Sequence, residues 1–207
     1  IKKSPEAALG WYYLGRTEHS QRHKKEAIAA YKRAIELKPS LIQPYLALGY
    51  FYEEMQMPES AIKTYQTLFD ETQDVVAANR LATLYLKKEK YDKAVPYLRM
   101  IAANDPEDLN SRVKLGLVHM ELKQYTEAIE IFKKILEKNP QSDRIHYYLG
   151  SLYEETKQIS EAIEELKQIE PDSRLFVDAA LHVAFLLKQE SKIGSAKNFL
   201  NGVIARA

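Results

Sequence analysis

The chain has 207 residues, 45% apolar and 29% charged, with no cysteine, 7 glycines and 8 prolines. Thirty basic residues against 29 acidic ones leave a formal charge of +1, so no bulk field draws the chain to nucleic acid or anionic lipid. The absence of cysteine excludes a disulfide framework and thiolate metal sites while leaving the compartment open, and no apolar run reaches the roughly 18 residues of a membrane helix.

In chain order, Ile1-Lys2-Lys3-Ser4-Pro5-Glu6-Ala7 aligns with Ile35-Glu36-Leu37-Lys38-Pro39-Ser40-Leu41 and reads as a junction between repeats. Trp11, Leu14, Gly15 and Glu18 follow in steps of three and four, one face of a helix. Ser20 to Lys24 is a short polar turn, and Ala27, Ile28, Tyr31, Ala34 and Ile35 form a second helical face. The pattern returns as Tyr45, Leu48, Gly49 and Tyr52 before Ala61, Ile62, Tyr65 and Leu68, and as Leu115, Gly116 and His119 before Ala128, Ile129, Phe132 and Ile135. Gly15, Gly49, Ala82, Gly116, Gly150 and Ala184 recur at intervals of 34, 33, 34, 34 and 34, and Ala27, Ala61, Ala94, Ala128, Ala162 and Ala196 keep the same spacing. Such a period predicts an all-α solenoid, in which each hairpin buries its apolar face only against its neighbours. Six antiparallel hairpins are expected, stacked into a right-handed superhelix as one array over 1–207, with units at 8–41, 42–74, 75–108, 109–142, 143–176 and 177–207. Pro5, Pro39, Pro106 and Pro140 mark junctions. Ile204 stands in register with Ile35, so both ends read as cut from a longer array.

Two units depart from the pattern. The second is one residue short and has Asp70-Glu71-Thr72-Gln73-Asp74 where a proline is due, with Asp74 placed to cap the next helix. The loss predicts a changed angle between the second and third units. In the fifth unit Pro171 arrives about three residues early, so its second helix is expected to stop near Glu170, with Pro171-Asp172-Ser173 as a longer link. Pro96 lies four residues beyond Asp92, near a helix start, and is expected to be tolerated.

Trp11, Leu14-Gly15, Ala27, Tyr31, Ala34 and Pro39 resemble the tetratricopeptide repeat signature, and the resemblance runs through essentially the whole chain. It implies a non-catalytic scaffold that binds another protein or peptide segment in a concave groove lined by the first helix of each hairpin. Two further roles are consistent with such an array: the recruiting arm of a larger enzyme, and a bacterial envelope assembly factor for pili or exported polysaccharide.

Motifs for chemistry are lacking. There is no Gly-rich phosphate loop, G-x-S-x-G elbow or H-E-x-x-H pair, so neither catalysis nor a cofactor is expected. His19 and His23 have a metal-ligand spacing, but the expected turn falls between them, and no metal site is assigned. His119 and His146 occupy large-residue columns and are assigned to packing. So are Tyr31, Tyr45, Tyr52, Tyr65, Tyr85, Tyr91, Tyr125 and Tyr153, while Tyr97 stays unassigned. Tyr12, Tyr13, Tyr50, Tyr147 and Tyr148 stand beside the core columns on first helices, the face the resemblance makes concave. The partner-binding set on that face is Tyr12, Arg16, Tyr50, Asn79, Arg80, Thr83, Asn110, Lys114, Arg144 and Tyr147. Carboxamides offer a donor and an acceptor to a peptide bond, and the cations suit carboxylates. Arg80, Lys114 and Arg144 have few acids near them in sequence, which predicts a locally positive centre. The chaperone-tail carboxylate clamp of this family is not matched, since Tyr12 and Arg16, or Leu46 and Tyr50, stand where its lysine and asparagine belong. Leu200, Val203 and Ile204 form an uncovered terminal face, from which self-association is expected.

Overall fold

The computed structural model describes residues 5–205. The expected junction at Ile1 to Ser4 lies outside them, as does Ala207. Twelve α-helices and no strand occur among the described residues: α1 (Pro5–Ser20), α2 (Lys24–Leu37), α3 (Ile42–Glu54), α4 (Pro58–Thr72), α5 (Val75–Lys87), α6 (Tyr91–Asn104), α7 (Leu109–Glu121), α8 (Tyr125–Lys138), α9 (Asp143–Glu155), α10 (Ile159–Leu166), α11 (Phe176–Gln189) and α12 (Ile193–Ile204). Consecutive helices pair as hairpins. The chain divides after Asp105 into two compact units of three hairpins each. The fold is an α-solenoid of helical hairpins, as the periodicity requires.

The small columns explain how each hairpin closes. Ala27, Ala61, Ala94, Ala128 and Ala162 are fully buried. A Cβ placed on Gly15 would lie 2.6 Å from the ring of Tyr31, on Gly49 2.4 Å from Tyr65, and on Gly116 2.6 Å from Phe132. Each glycine thus lets an aromatic ring sixteen residues later lie directly on the backbone of the first helix.

Within every hairpin the turn has one geometry. Arg22, Gln56, Glu89, Lys123, Lys157 and Ser191 adopt the left-handed conformation, with φ between 53° and 62°. Beside each, paired backbone bonds close the first helix, as where the His23 N–H donates to the Glu18 carbonyl (2.9 Å) and the Arg22 N–H to that of His19 (3.0 Å). This is a Schellman closure, here without glycine at the left-handed residue.

The two irregular units differ in their links. After α4 the left-handed Gln73 turns the chain, and Asp74 caps α5 by accepting from the Ala77 N–H at 2.8 Å. α10 stops at Leu166, four residues before the expected Glu170. Pro171 has no N–H to continue the ladder, and the Glu170 N–H donates instead to Asp143 Oδ1 (3.3 Å), so the segment is held as turns with Ile169 buried. α6 runs through Pro96, whose ring is exposed.

Candidate functional site

In the first unit the first helices are α1, α3 and α5. Tyr12 and Arg16, one turn apart on α1, and Tyr50 on α3 border an open cavity of about 400 Å³, with His19, Ser20, Tyr31 and Ala47 completing its wall. The guanidinium carbon of Arg16 lies 5.9 Å from the Tyr12 ring centroid, and Tyr12 leans on Tyr31 at 6.3 Å. Burial, with the nearby Tyr12 hydroxyl, pushes the Tyr31 phenol up to about 12, so it stays a neutral donor. Arg16 has no carboxylate partner among the described residues and is exposed.

Arg80 on α5 stacks over Tyr50 at 5.8 Å. Its guanidinium also lies 3.9 Å from Glu53, which accepts the Tyr65 hydroxyl at 2.8 Å. The locally positive centre expected from sequence is therefore partly balanced here, because α3 brings Glu53 from 27 positions away. Asn79 and Thr83 are exposed, but each turns a group back to its own helix: Asn79 Nδ2 donates to the Val75 carbonyl (3.1 Å) and Thr83 Oγ1 to that of Asn79 (2.8 Å).

In the second unit Asn110 and Lys114 are exposed on α7. Arg144 on α9 donates from Nε to the Tyr148 hydroxyl (2.7 Å) and lies 5.5 Å over that ring, which itself stacks on Phe132 at 5.4 Å. Arg144 also borders a separate cavity of about 400 Å³ at the turn before α9, beside Leu109, Val113 and Pro140. Tyr147 is half-buried, its ring 6.3 Å from that of His182. Leu181 and Phe185, 57% and 51% exposed on α11, take the register positions of Tyr12 and Arg16. The sequence reading passed over this pair, although carrying the two columns into the sixth repeat finds them.

The histidines are tied to neighbours. His19 Nε2 lies 2.6 Å from Glu54 and His23 Nδ1 2.8 Å from Glu18, each beside its own carboxylate and on opposite sides of the turn. His119 is buried and its Nδ1 meets Gln124 Oε1 at 2.7 Å. His146 is buried between two acceptors, Glu165 Oε2 at 2.7 Å from Nδ1 and the Pro140 carbonyl at 2.8 Å from Nε2. With an acceptor at each nitrogen the protonated ring is favoured, and the hydrogen bond to Glu165 raises its pKa against the opposing effect of burial. Tyr97, unassigned from sequence, is buried and donates to Gln66, while Tyr85, Tyr91 and Tyr125 are only half-buried.

Paired helices, a period of 33 or 34 residues, and glycine or alanine at every crossing define a helical-repeat protein. The chain belongs to the tetratricopeptide repeat family, whose sequence models match residues 24–56, 42–73, 79–143 and 119–184. No curated protein matches it in sequence. Among solved structures, it is similar to YrrB, described as a tetratricopeptide repeat protein with an unusual peptide-binding site. That match has 23% identity and a TM-score of 0.63, covering 86% of this chain and 94% of the other. A MamA structure matches at 21% identity with a TM-score of 0.59, covering 93% and 96% of the two chains. Pseudomonas aeruginosa pilF matches at 19% identity with a TM-score of 0.54, covering 94% and 89%. These likenesses concern the fold.

Proposed function

We propose that the chain is a non-catalytic protein-interaction scaffold that binds an extended partner segment on the faces of its first helices. The observation that carries this reading is the open cavity where Tyr12, Arg16 and Tyr50 meet. It offers a guanidinium without a carboxylate partner, flanked by aromatic rings, the combination that favours an acidic side chain or a free C-terminal carboxylate. A peptide-binding site in YrrB supports a reading of this kind. Asn79, Arg80 and Thr83 extend the first unit's face. Asn110, Lys114, Arg144 and Tyr147 are assigned to a corresponding face on the second.

Peptides selected by display on the immobilised chain are expected to be enriched in Asp, Glu or carboxyl termini. Arg16→Ala with Tyr50→Ala is expected to weaken the best of them about tenfold or more while the melting temperature stays nearly unchanged, since both side chains are at the surface. Unchanged affinity in that variant places the partner elsewhere and removes the proposal.

A further inference from the structure

His19 and Ser20, at the end of α1, line two cavities at once. One is the cavity bordered by Tyr12, Arg16 and Tyr50. The other, about 420 Å³, lies against the turn between α1 and α2, where Arg22, Lys24, Phe51, Glu54 and Met55 complete its wall. Each is walled by the first hairpin on one side and by α3 on the other, so both walls belong to the first compact unit.

Charge is unevenly set along this pair of cavities. Arg16, Arg22 and Lys24 are exposed, and none has a carboxylate at ion-pair distance among the described residues. The one carboxylate on the two walls, Glu54, is engaged, with its Oε2 2.6 Å from His19 Nε2. The His19 ring in turn packs on Phe51 at 4.1 Å between centroids, so the wall shared by the two cavities is held from both sides. The next junction of hairpins in this unit is built differently. Gln56 and Pro58 take the places of Arg22 and Lys24, and Lys88, the cation near that turn, is paired with Glu59. Unmatched cations beside two open cavities call for more than one carboxylate on the occupant.

The spacing says what kind of segment supplies them. At the helical rise, the six residues from Arg16 to Arg22 advance about 9 Å. A segment in the polyproline II conformation also advances about 9 Å in three residues, and returns to the same face. Its residues i and i+3 reach the two cavities together, whereas the alternating faces of a fully extended strand turn one of them away.

We propose that the groove between the first two hairpins selects a partner segment with two acidic side chains three residues apart. This rests on the reading that Arg16 receives one carboxylate between Tyr12 and Tyr50, and adds that the second meets Arg22 and Lys24. The main chain of the segment crosses Ser20, whose Oγ donates to the Thr17 carbonyl (2.7 Å) and so is left to accept from a main-chain N–H.

Random segments displayed between fixed flanks, with no free carboxyl terminus, are the probe. Selection on the whole chain is expected to enrich pairs of Asp or Glu three residues apart. Selection on Arg22→Gln with Lys24→Gln is expected to enrich single acids instead. Gln56 already takes the left-handed conformation of Arg22 in the second hairpin, so the variant keeps the turn, which circular dichroism checks. As a synthetic peptide, the best diacidic segment is expected to bind that variant about fivefold more weakly than the native chain. One of the two single replacements of an acid by its amide is expected to give a peptide that binds both alike. Enrichment of single acids or of other separations on the native chain, or a pair preference that persists in the variant, overturns the inference and leaves the Arg16 site standing. Segments with no acidic preference, or binding unaltered by Arg16→Ala with Tyr50→Ala, remove both.

Discussion

Gly116 and Phe132 show how closely single positions are specified. A Cβ on Gly116 would stand 2.6 Å from Phe132 Cε1, a distance that no packed pair tolerates without a shift of the ring. Five of the six crossings follow one rule: glycine stands against the rings of Tyr31, Tyr65 and Phe132, while Ala82 and Ala184 stand in register with Leu98 and Leu200; the exception is Gly150, where a Cβ would lie 2.7 Å from Cγ of Leu166. A ring lying flat on the helix leaves no room for a methyl group, and the branched leucine leaves some. Gly116→Leu is expected to destabilise the chain by roughly 1–3 kcal/mol through overpacking, read from denaturant unfolding. Gly116→Ala with Phe132→Leu is expected to cost less than the sum of its single changes, and strict additivity would show that the two do not share the site. His146 makes a separate prediction at this scale. Its folded pKa is raised, so the stabilisation from its pairing with Glu165 is complete below the unfolded value of about 6.5 and is lost as pH rises through the higher folded value. An NMR titration should place the His146 ring above an unfolded-state histidine, and the melting temperature should fall over that interval less in His146→Ala than in the native chain.

At the scale of elements, the turn inside each hairpin is the least economical feature of the sequence. A residue with a side chain occupies the left-handed position six times, at a strain of about 1–2 kcal/mol each, where glycine has none. Glycine gives back about 0.4–1 kcal/mol through the greater freedom of its unfolded chain. Lys123→Gly and Lys157→Gly are therefore each expected to stabilise by about 0.5–1 kcal/mol, measured by chemical denaturation. A destabilised Lys123→Gly would mean that its side chain makes contacts worth more than the relieved strain. The α10 helix carries the opposite lesson. Its helical pattern continues past Leu166, yet the Glu170 N–H is taken by Asp143 and the last turn is not α-helical. Local propensity yields there to one long-range hydrogen bond and to Pro171.

At the scale of the molecule, stability is carried between neighbouring hairpins, because a helix of 13 to 16 residues such as α1 or α3 is marginal alone. The first unit has a core of its own, with Tyr31, Tyr65, Leu68 and Leu81 essentially fully buried. Residues 1–105 expressed separately are accordingly expected to fold, with a helical circular dichroism spectrum and a cooperative melt. A non-cooperative melt would show that this unit requires the second.

The sequence by itself determined the hairpin repeat. Two small-residue columns at a spacing of 34 state which positions face inward, and α3, α5, α7 and α9 begin at Ile42, Val75, Leu109 and Asp143, where the columns place them. It also showed that His119 and His146 belong to the core and that Asp74 caps a helix, since both follow from position in the repeat. Only the tertiary structure decided what each charged side chain meets. Arg80 turning toward Glu53, and His146 held between Glu165 and the Pro140 carbonyl, both depend on groups brought together from separate segments. Periodicity fixes the face on which a residue stands. The rotamer of a long side chain and the neighbour across the next helix are settled by packing, and no spacing along the chain encodes them.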